Sequence, residues 1–285
     1  PTRATCIFCK ASTLHASLPP HKTSTEKNRF MDFITASLAI AEMELRKLFR
    51  DPTELFSRAI QPALWLAVFG QVFSRVRGIP IGNVSYLAFM TPGILAQSVL
   101  FAAIFYGIAV IWERDLGVIH KLLVSPSPRG ALVFGKAISA GVRGMVQAAI
   151  IYLIAFIMNI PIRYDPIAIV GVLSGVVLGS AVFSTFSLII ACVVKTRERF
   201  MGIGQVLTMP LFFASNAIYP LSLMPDWLRA IASINPLTYL VDALRMLMID
   251  GTQGSHSLFL NFSVLSAVFI VFIFIAAKLY PTLVE

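Results

Sequence analysis

The chain alternates between long apolar segments and short polar ones from about residue 54 onward. Each apolar segment has the ~20 residues that an α-helix needs to cross the ~30 Å hydrocarbon core of a bilayer. This pattern predicts an all-α fold: a polytopic membrane protein with six transmembrane helices. The six predicted spans are 54–74, 85–111, 131–158, 166–194, 200–220 and 258–278.

The composition agrees with this pattern. Hydrophobic residues make up 57% of the chain and charged residues 13%, whereas about 25% of the residues of soluble domains are charged. The mean hydropathy is +0.81. A soluble globular domain is therefore excluded.

Basic side chains are distributed unequally between the two sides of the predicted membrane. Six spans place both termini on one side, and that side carries twelve basic residues against five on the other. By the positive-inside rule, the termini lie on the cytoplasmic side or its topological equivalent. The net charge of +9 is thus spread over membrane flanks, so we expect no nucleic-acid partner. The twelve are Arg46, Lys47, Arg50, Arg58, Arg114, Lys121, Arg129, Lys136, Lys195, Arg197, Arg199 and Lys278, and the five are Arg75, Arg77, Arg163, Arg229 and Arg245.

A polar segment, 112–136, separates the second and third spans on the cytoplasmic side. Within it the stretch from Glu113 to Val124 has helical spacing and predicts a short helix, which Pro126 and Pro128 end. Its apolar positions include Leu116, Ile119 and Leu122, and its polar positions Arg114, Asp115, His120 and Lys121.

The first 50 residues differ from the rest. Residues 1–30 contain eight Ser or Thr, five Lys or Arg and one acid, Glu26, which predicts a disordered or targeting-like leader, or sequence upstream of a start at Met31. We therefore expect a bacterial-type plasma membrane or, if residues 1–30 are a transit peptide, an organelle (plastid) membrane. Cys6-x-x-Cys9 with His15 and His21 matches no zinc-finger spacing, so we expect no metal.

Residues 32–50 predict an amphipathic helix lying on membrane lipid at the cytoplasmic interface. Leu38, Ala41, Leu45 and Leu48 recur at helical spacing, and Glu42, Arg46 and Arg50 share another face. The alternative is a soluble helix that packs on a partner.

The third span carries Lys136 and Arg143 on one face, with Gln147 a turn further on. An arginine near mid-bilayer costs about 2.5–3.5 kcal/mol, so Arg143 should face protein or water. Either Arg143 lines a substrate path, or it pairs with an acid such as Glu113 or Glu54 while Lys136 extends to the cytoplasmic surface. The pairing is the favoured interpretation.

The segment 221–251 is apolar but carries several charges. Pro225 and Asn235-Pro236 each predict a helix start, giving two outer re-entrant half-helices, 225–234 and 236–249. The polar residues of the second are Tyr239, Asp242 and Arg245, of which the last two are three apart and are expected to pair.

The fourth span has a stripe of small residues, Gly171, Gly175 and Gly179, that permits close helix packing. The pattern leaves open whether the neighbour belongs to the same chain or to a second copy. Cys192 is expected to be packed in an apolar environment.

No catalytic motif accompanies these features. Gly130 to Ala137 resembles a phosphate-binding loop but lacks its final hydroxyl and any preceding strand, so it is rejected. We therefore expect a non-enzymatic chain that holds no cofactor. Uphill transport would draw on a partner or on an ion gradient, and the location of Glu54 and Glu113 at span ends disfavours the gradient.

Two stretches carry a resemblance to a known family. The run WERDLGVIHKLLVSPSPRGALVFGK, from Trp112, resembles the cytoplasmic segment of ABC-2 type permeases, the membrane subunits of exporters of the daunorubicin-resistance and nodulation-factor kind. A second match covers YPLSLMPDWLR, from Tyr219, and NPLTY, from Asn235, ending at Arg245. The similarity extends over about 31–285, the predicted transmembrane domain.

The resemblance implies a mechanism and partners. It implies a homodimer or heterodimer of permeases bound to ABC ATPase subunits, which hold ATP and Mg, and export of an amphipathic drug, lipid or glycan. The 113–124 helix would contact the ATPase, and the outer half-helices would cover the exit. One departure is His120, where the family pattern usually has an acid. The competing hypothesis is a self-contained secondary transporter or a membrane scaffold.

Overall fold

The computed structural model describes residues 34, 35, 37, 38, 42, 46, 60–74, 84–117, 129–194, 196–252 and 254–280. These residues are helical or in turns and loops, in agreement with the all-α prediction. The predicted leader, including Cys6 and Cys9, lies outside them.

Eight helices are defined within these ranges. Helix α1 (Ile60–Phe73) contains a π-helical stretch, Trp65–Gly70. The others are α2 (Tyr86–Asp115), α3 (Arg129–Ile157), α4 (Pro166–Val193), α5 (Arg197–Phe213), α6 (Asp226–Ile234), α7 (Pro236–Met248) and α8 (Leu258–Leu279).

Four of these helices, α2, α3, α4 and α8, are long and apolar enough to cross a membrane. They correspond to the predicted second, third, fourth and sixth spans, which are therefore confirmed as membrane-length helices. Helix α1 covers part of the predicted first span and is shorter.

The prediction for the fifth span is wrong in its bounds. Helix α5 has 17 residues, a length of about 25 Å at 1.5 Å per residue, and it ends at Phe213 instead of continuing to 220. The turns that follow lead to a short 3-10 helix, Leu221–Leu223, and then to α6 and α7. Helices at both predicted half-helix positions are confirmed, while their depth in a membrane stays a prediction.

Helices α2 and α4 form the centre of the described bundle. Ser187 on α4 donates a hydrogen bond to the carbonyl of Ile104 and accepts one, at 3.0 Å, from the amide of Gly107 on α2. In contrast, α8 fully buries only Asn261, Leu265 and Ala276, and it exposes Phe259, Ile270 and Phe274.

The glycine stripe of α4 contacts α7 of the same chain. A Cβ atom at Gly171 would meet the side chain of Leu247, and one at Gly179 the side chain of Leu240. Gly175 lies opposite Leu244 and Phe262. The stripe therefore packs within one chain, which decides between the two neighbours that the sequence left open. Cys192 is buried, as predicted.

The two ends of the bundle differ. At the end that we call the Glu113 end, the last turn of α2 lies near the starts of α3 and α5 and the last turns of α4 and α8, where Val110, Leu132, Cys192, Phe200 and Tyr280 form one apolar cluster. At the opposite end, the Tyr86 end, the hydroxyl of Tyr86 donates to the carbonyl of Ile218 at 3.2 Å. The amide of Arg163 donates there to the carbonyl of Met248 at 2.8 Å.

Candidate functional site

A buried ion pair joins α2 to α3 at the Glu113 end. Lys136 Nζ lies 2.6 Å from Glu113 Oε2, and the two side chains are 4% and 9% exposed. Neither charge can reach bulk water, so each stabilises the other, and loss of one partner would leave an uncompensated buried charge. The pair therefore fixes the position of α2 relative to α3.

The ring of Tyr106 lies beside both cations of α3. The ring centroid is 5.5 Å from Lys136 Nζ and 5.0 Å from Arg143 Cζ, within the range of cation–π attraction. The predicted shared face of Lys136 and Arg143 is thus confirmed.

The prediction for the partner of Glu113 needs correction. Lys136 does not extend to the surface; it is buried and holds Glu113. Glu113 pairs with Lys136, and not with Arg143 as predicted, because Glu113 and Lys136 face each other at the same level of the bundle, where α2 and α3 pack. The role of Arg143 as path or pair stays a prediction.

The last turn of α2 is tied to the first turn of α5. Asp115 accepts hydrogen bonds from Arg197 at 2.7 Å and from Arg114 at 3.2 Å. The guanidinium of Arg197 also lies 3.9 Å from the ring centroid of Trp112. Two helices that are distant in sequence therefore meet through one arginine.

The chain turns sharply directly after α2. Gly117 adopts φ +70°, the left-handed conformation that ends many helices, and its amide donates to the carbonyl of Arg114. The predicted helix start at Glu113 is therefore wrong, because Glu113, Arg114 and Asp115 belong to the end of α2. Leu116 stands at the turn with 71% of its surface exposed.

The remaining predicted residues of this segment, Ile119, His120 and Lys121, lie outside the described residues. Gly130 to Ala137 is helical within α3, which agrees with the rejection of a phosphate-binding loop.

The N-terminal segment contacts the same end of the bundle through Ser37. Residues 34, 35, 37, 38, 42 and 46 are helical. Ser37 is buried and donates to the carbonyl of Ala131 on α3 at 3.2 Å. Glu42 and Arg46, predicted to share one face, form an i, i+4 salt bridge, while Leu38 is exposed. This segment is thus held against the start of α3.

Asn235 joins the two helices of the Tyr86 end to α5. Its Oδ1 accepts from the amide of Leu237 and caps α7, as Asn before Pro236 predicts. Its Nδ2 donates to the carbonyls of Leu211 at 2.7 Å and Ala214 at 3.1 Å, which are left open where α5 ends. The side-chain amide of Asn235 therefore supplies hydrogen-bond partners to both the end of α5 and the start of α7.

Asp242 and Arg245 do not form the predicted pair. No salt bridge joins these two described residues. Asp242, 1% exposed, accepts hydrogen bonds from the amides of Ser255 and His256 and from Asn261 Nδ2, at 2.9–3.1 Å. The loop before α8 and Asn261 on α8 supply these donors in place of the arginine.

Arg245 is buried against α2 instead. Its Nη2 donates to the carbonyl of Asn216 at 2.6 Å, and its guanidinium lies 3.9 Å from the ring centroid of Phe89. Tyr239 lies at the edge of this region, where its hydroxyl donates to the carbonyl of Ser233 at 2.7 Å.

The predicted residues that the structure describes thus form two groups at opposite ends of the bundle, and Arg143 and Gln147 lie between these ends along α3. Among the residues that the structure describes, no group of three His, Cys, Asp or Glu side chains is placed to hold a metal ion. Sequence reasoning missed Tyr106, although it lies seven residues before Glu113 and so on the same face of α2. It also missed Asn216 and Phe89 as partners of Arg245, for which the sequence carries no local signal.

Comparison with known proteins decides the family. The sequence pattern of the ABC-2 type transporter family matches residues 35–249. The chain belongs to the ABC-2 type transporter family. The match spans both groups of site residues and most of the described helices.

Relatives of this ABC-2 type chain are named as transport permeases. It is 31% identical over 220 residues to the ycf38 protein of Cyanophora paradoxa, covering 75% of this chain and 74% of the relative. It is 28% identical over 233 residues to the ycf38 protein of Porphyra purpurea, covering 80% and 78%. It is also 25% identical over 230 residues to the daunorubicin resistance ABC transporter permease protein DrrB1 of Streptomyces coeruleorubidus, covering 80% of each.

Proposed function

We propose that this chain is the membrane subunit of an ATP-driven exporter of amphipathic compounds, with six spans and both termini on the side of the ATPase. The family match and the relatives named as transport permeases support a transport subunit. ATP and Mg are held by a separate ABC ATPase subunit, because the stretch of this chain that resembles a phosphate-binding loop, 130–137, is helical within α3.

The observation that carries the proposal is the exposed turn after α2. Trp112 and Leu116 present apolar surface there, Gly117 sets the turn, and Asp115 and Arg197 fix its base. An exposed apolar side chain on a rigid, charged base is suited to docking in a cleft of a partner protein. Displacement of this turn by the ATPase would reach α3 through the Glu113–Lys136 pair.

Replacement of Leu116 tests this role. In a complex of the chain with its co-purifying ABC ATPase, Leu116→Asp should lower the permease-dependent stimulation of ATP hydrolysis at least tenfold, because a carboxylate would have to be desolvated in the cleft. The matched control is Leu223→Asp, at a half-exposed position of the Tyr86 end, which should leave stimulation unchanged. Unaltered stimulation by the Leu116 variant would contradict the docking role, and transport driven by an ion gradient without the ATPase would contradict the proposal as a whole.

The second permease copy should dock on the outer surface of α5 and α6. Val206, Met209 and Phe213 recur along one face of α5 and are exposed, and Ile231 and Ile234 of α6 are exposed as well. A groove of about 420 Å³ lies between the two helices. Because α5 is shorter than the membrane-length helices of the described bundle, a protein partner would cover it better than lipid alone.

The composition of residues 1–30 favours an organelle membrane as the location. Fusion of residues 1–33 to a fluorescent protein should direct that protein to plastids. Retention of the fusion in the cytosol would contradict this location and leave the transport proposal intact.

A further inference from the structure

A small groove lies between α1, α2 and α3, apart from the two groups of residues described above. Its volume is about 170 Å³. The walls combine two amides and a hydroxyl with apolar side chains. They include Gln61, Pro62, Ser98, Phe101, Phe105 and Gln147.

Gln147 makes this groove unusual. The residue is 4% exposed, and its Nε2 has no hydrogen-bond partner among the residues that the structure describes. A buried amide without a partner costs about 1–3 kcal/mol, and most such groups are bonded in native structures. An oxygen atom supplied by a ligand would remove that cost.

The polar groups of the groove are uncharged. Gln61 is exposed at its rim, and Ser98 donates to the carbonyl of Ile94 at 2.8 Å, which leaves its oxygen able to accept. Arg143 lies one helical turn before Gln147 but faces a separate cavity of only about 10 Å³. The amides therefore favour a neutral ligand that carries hydroxyl, ester or ether oxygens over an anion.

The apolar walls and the volume determine how such a ligand would bind. The rings of Phe101 and Phe105 lie 6.3 Å apart on successive turns of α2. Sites for drug-sized ligands have volumes of about 300–1,000 Å³, so this groove accommodates one end of a molecule. The rest of the ligand would extend along the exposed surface of α1, where Leu64 is 55% exposed.

We propose that this groove binds the oxygen-bearing end of an uncharged amphiphile that enters from the membrane. As a substrate site it rests on the proposed transport function. As a binding site it does not, because neither ATP nor the ATPase takes part in it.

Photo-crosslinking of the purified full chain in lipid nanodiscs tests the proposal. The probe is a monoacylglycerol that carries a diazirine near its glycerol, and the control probe is a diazirine alkane of equal length without oxygens. The monoacylglycerol probe should label peptides of α1, α2 and α3 around Gln147, and excess unlabelled monoacylglycerol should compete with it. Equal labelling by both probes, or labelling without competition, would overturn the proposal.

Two variants separate binding from folding. Gln147→Leu should reduce specific labelling roughly tenfold, the effect of losing a hydrogen bond of about 1.4 kcal/mol, while its thermal unfolding midpoint stays the same or rises. Gln205→Leu, at an exposed position of α5, should leave labelling unchanged. Undiminished labelling of a folded Gln147→Leu protein would show that the amide does not hold the ligand. Because labelling needs no ATP hydrolysis, this result is independent of the Leu116 experiment.

Discussion

The contact between Glu113 and Lys136 shows how single residues set the geometry of this permease. Burying a carboxylate and an ammonium in an apolar bundle costs desolvation free energy. Their mutual attraction offsets this cost only while both groups are present. Tyr106 adds its ring to the same cluster. The pair is therefore more important for the relative position of α2 and α3 than for net stability.

Single and double substitutions of this pair should have very different effects. Glu113→Gln or Lys136→Met alone should lower the free energy of unfolding by about 3–5 kcal/mol, because one buried charge loses its partner. The double variant should recover most of that loss. Thermal unfolding of the purified protein in detergent measures all three. Additive losses in the double variant would contradict the assignment of a coupled pair.

At the scale of helices, glycines determine where the bundle packs most closely. At Gly93 of α2, a Cβ atom would lie within 3.0 Å of three backbone atoms of Ala217. At Gly175 of α4 the nearest atom would be a side-chain carbon at 3.5 Å, an ordinary contact. Backbone atoms cannot move aside as a flexible side chain can, so Gly93 should tolerate an added methyl group less well than Gly175 does.

Alanine substitution distinguishes these two glycines. Gly93→Ala should destabilise the protein by about 1–3 kcal/mol, since it pushes the turn after α5 away from α2. Gly175→Ala serves as the control and should be neutral or stabilising by up to ~1 kcal/mol, because alanine is the better helix former. Thermal unfolding of the two variants tests this, and the midpoint of Gly93→Ala should be the lower one. Equal midpoints would contradict the close approach at Gly93.

At the scale of the whole molecule, the proposed assembly rests on which surfaces remain uncovered. The outward face of α8 is apolar along a membrane-length helix and suits lipid, whereas α5 and α6 present apolar surface on short helices. The shorter surface is the one that we assign to a second copy.

Cross-linking tests this assignment. In a variant with Cys6, Cys9 and Cys192 replaced, Val206→Cys should give a product of twice the 31.2 kDa chain mass with a short bismaleimide. Val170→Cys, exposed on α4, should not. Dimers linked through Val170 instead would place the interface on the other side of the bundle.

Much of this architecture could be predicted from the sequence, for identifiable reasons. Helices such as α8 follow from length and hydropathy alone, which determine membrane insertion. The start of α7 follows from Asn235 and Pro236, whose local chemistry defines a helix N-terminus. These signals lie within a few residues of the structure that they predict.

The incorrect predictions concern interactions between distant segments. Glu113 and Lys136 are 23 residues apart on helices whose pairing no local pattern gives. The i, i+3 spacing of Asp242 and Arg245 favoured a local pair, but each side chain found its partners outside α7. The predicted helix start at Glu113 is wrong because α2 continues past the end of its apolar run and includes the charged residues from Glu113 to Asp115, up to the turn at Gly117.

The hydrogen bonds of the Asp242 carboxylate bear on which helices can separate during the proposed transport. It accepts hydrogen bonds from two successive backbone amides and from the side chain of Asn261. Separation of α7 from α8 would therefore leave a negative charge without partners in the apolar seam between these two helices. We therefore expect this seam to stay closed during transport. In the proposed export cycle, cargo would then leave past α5 and α6, on the flank where we propose that two subunits meet.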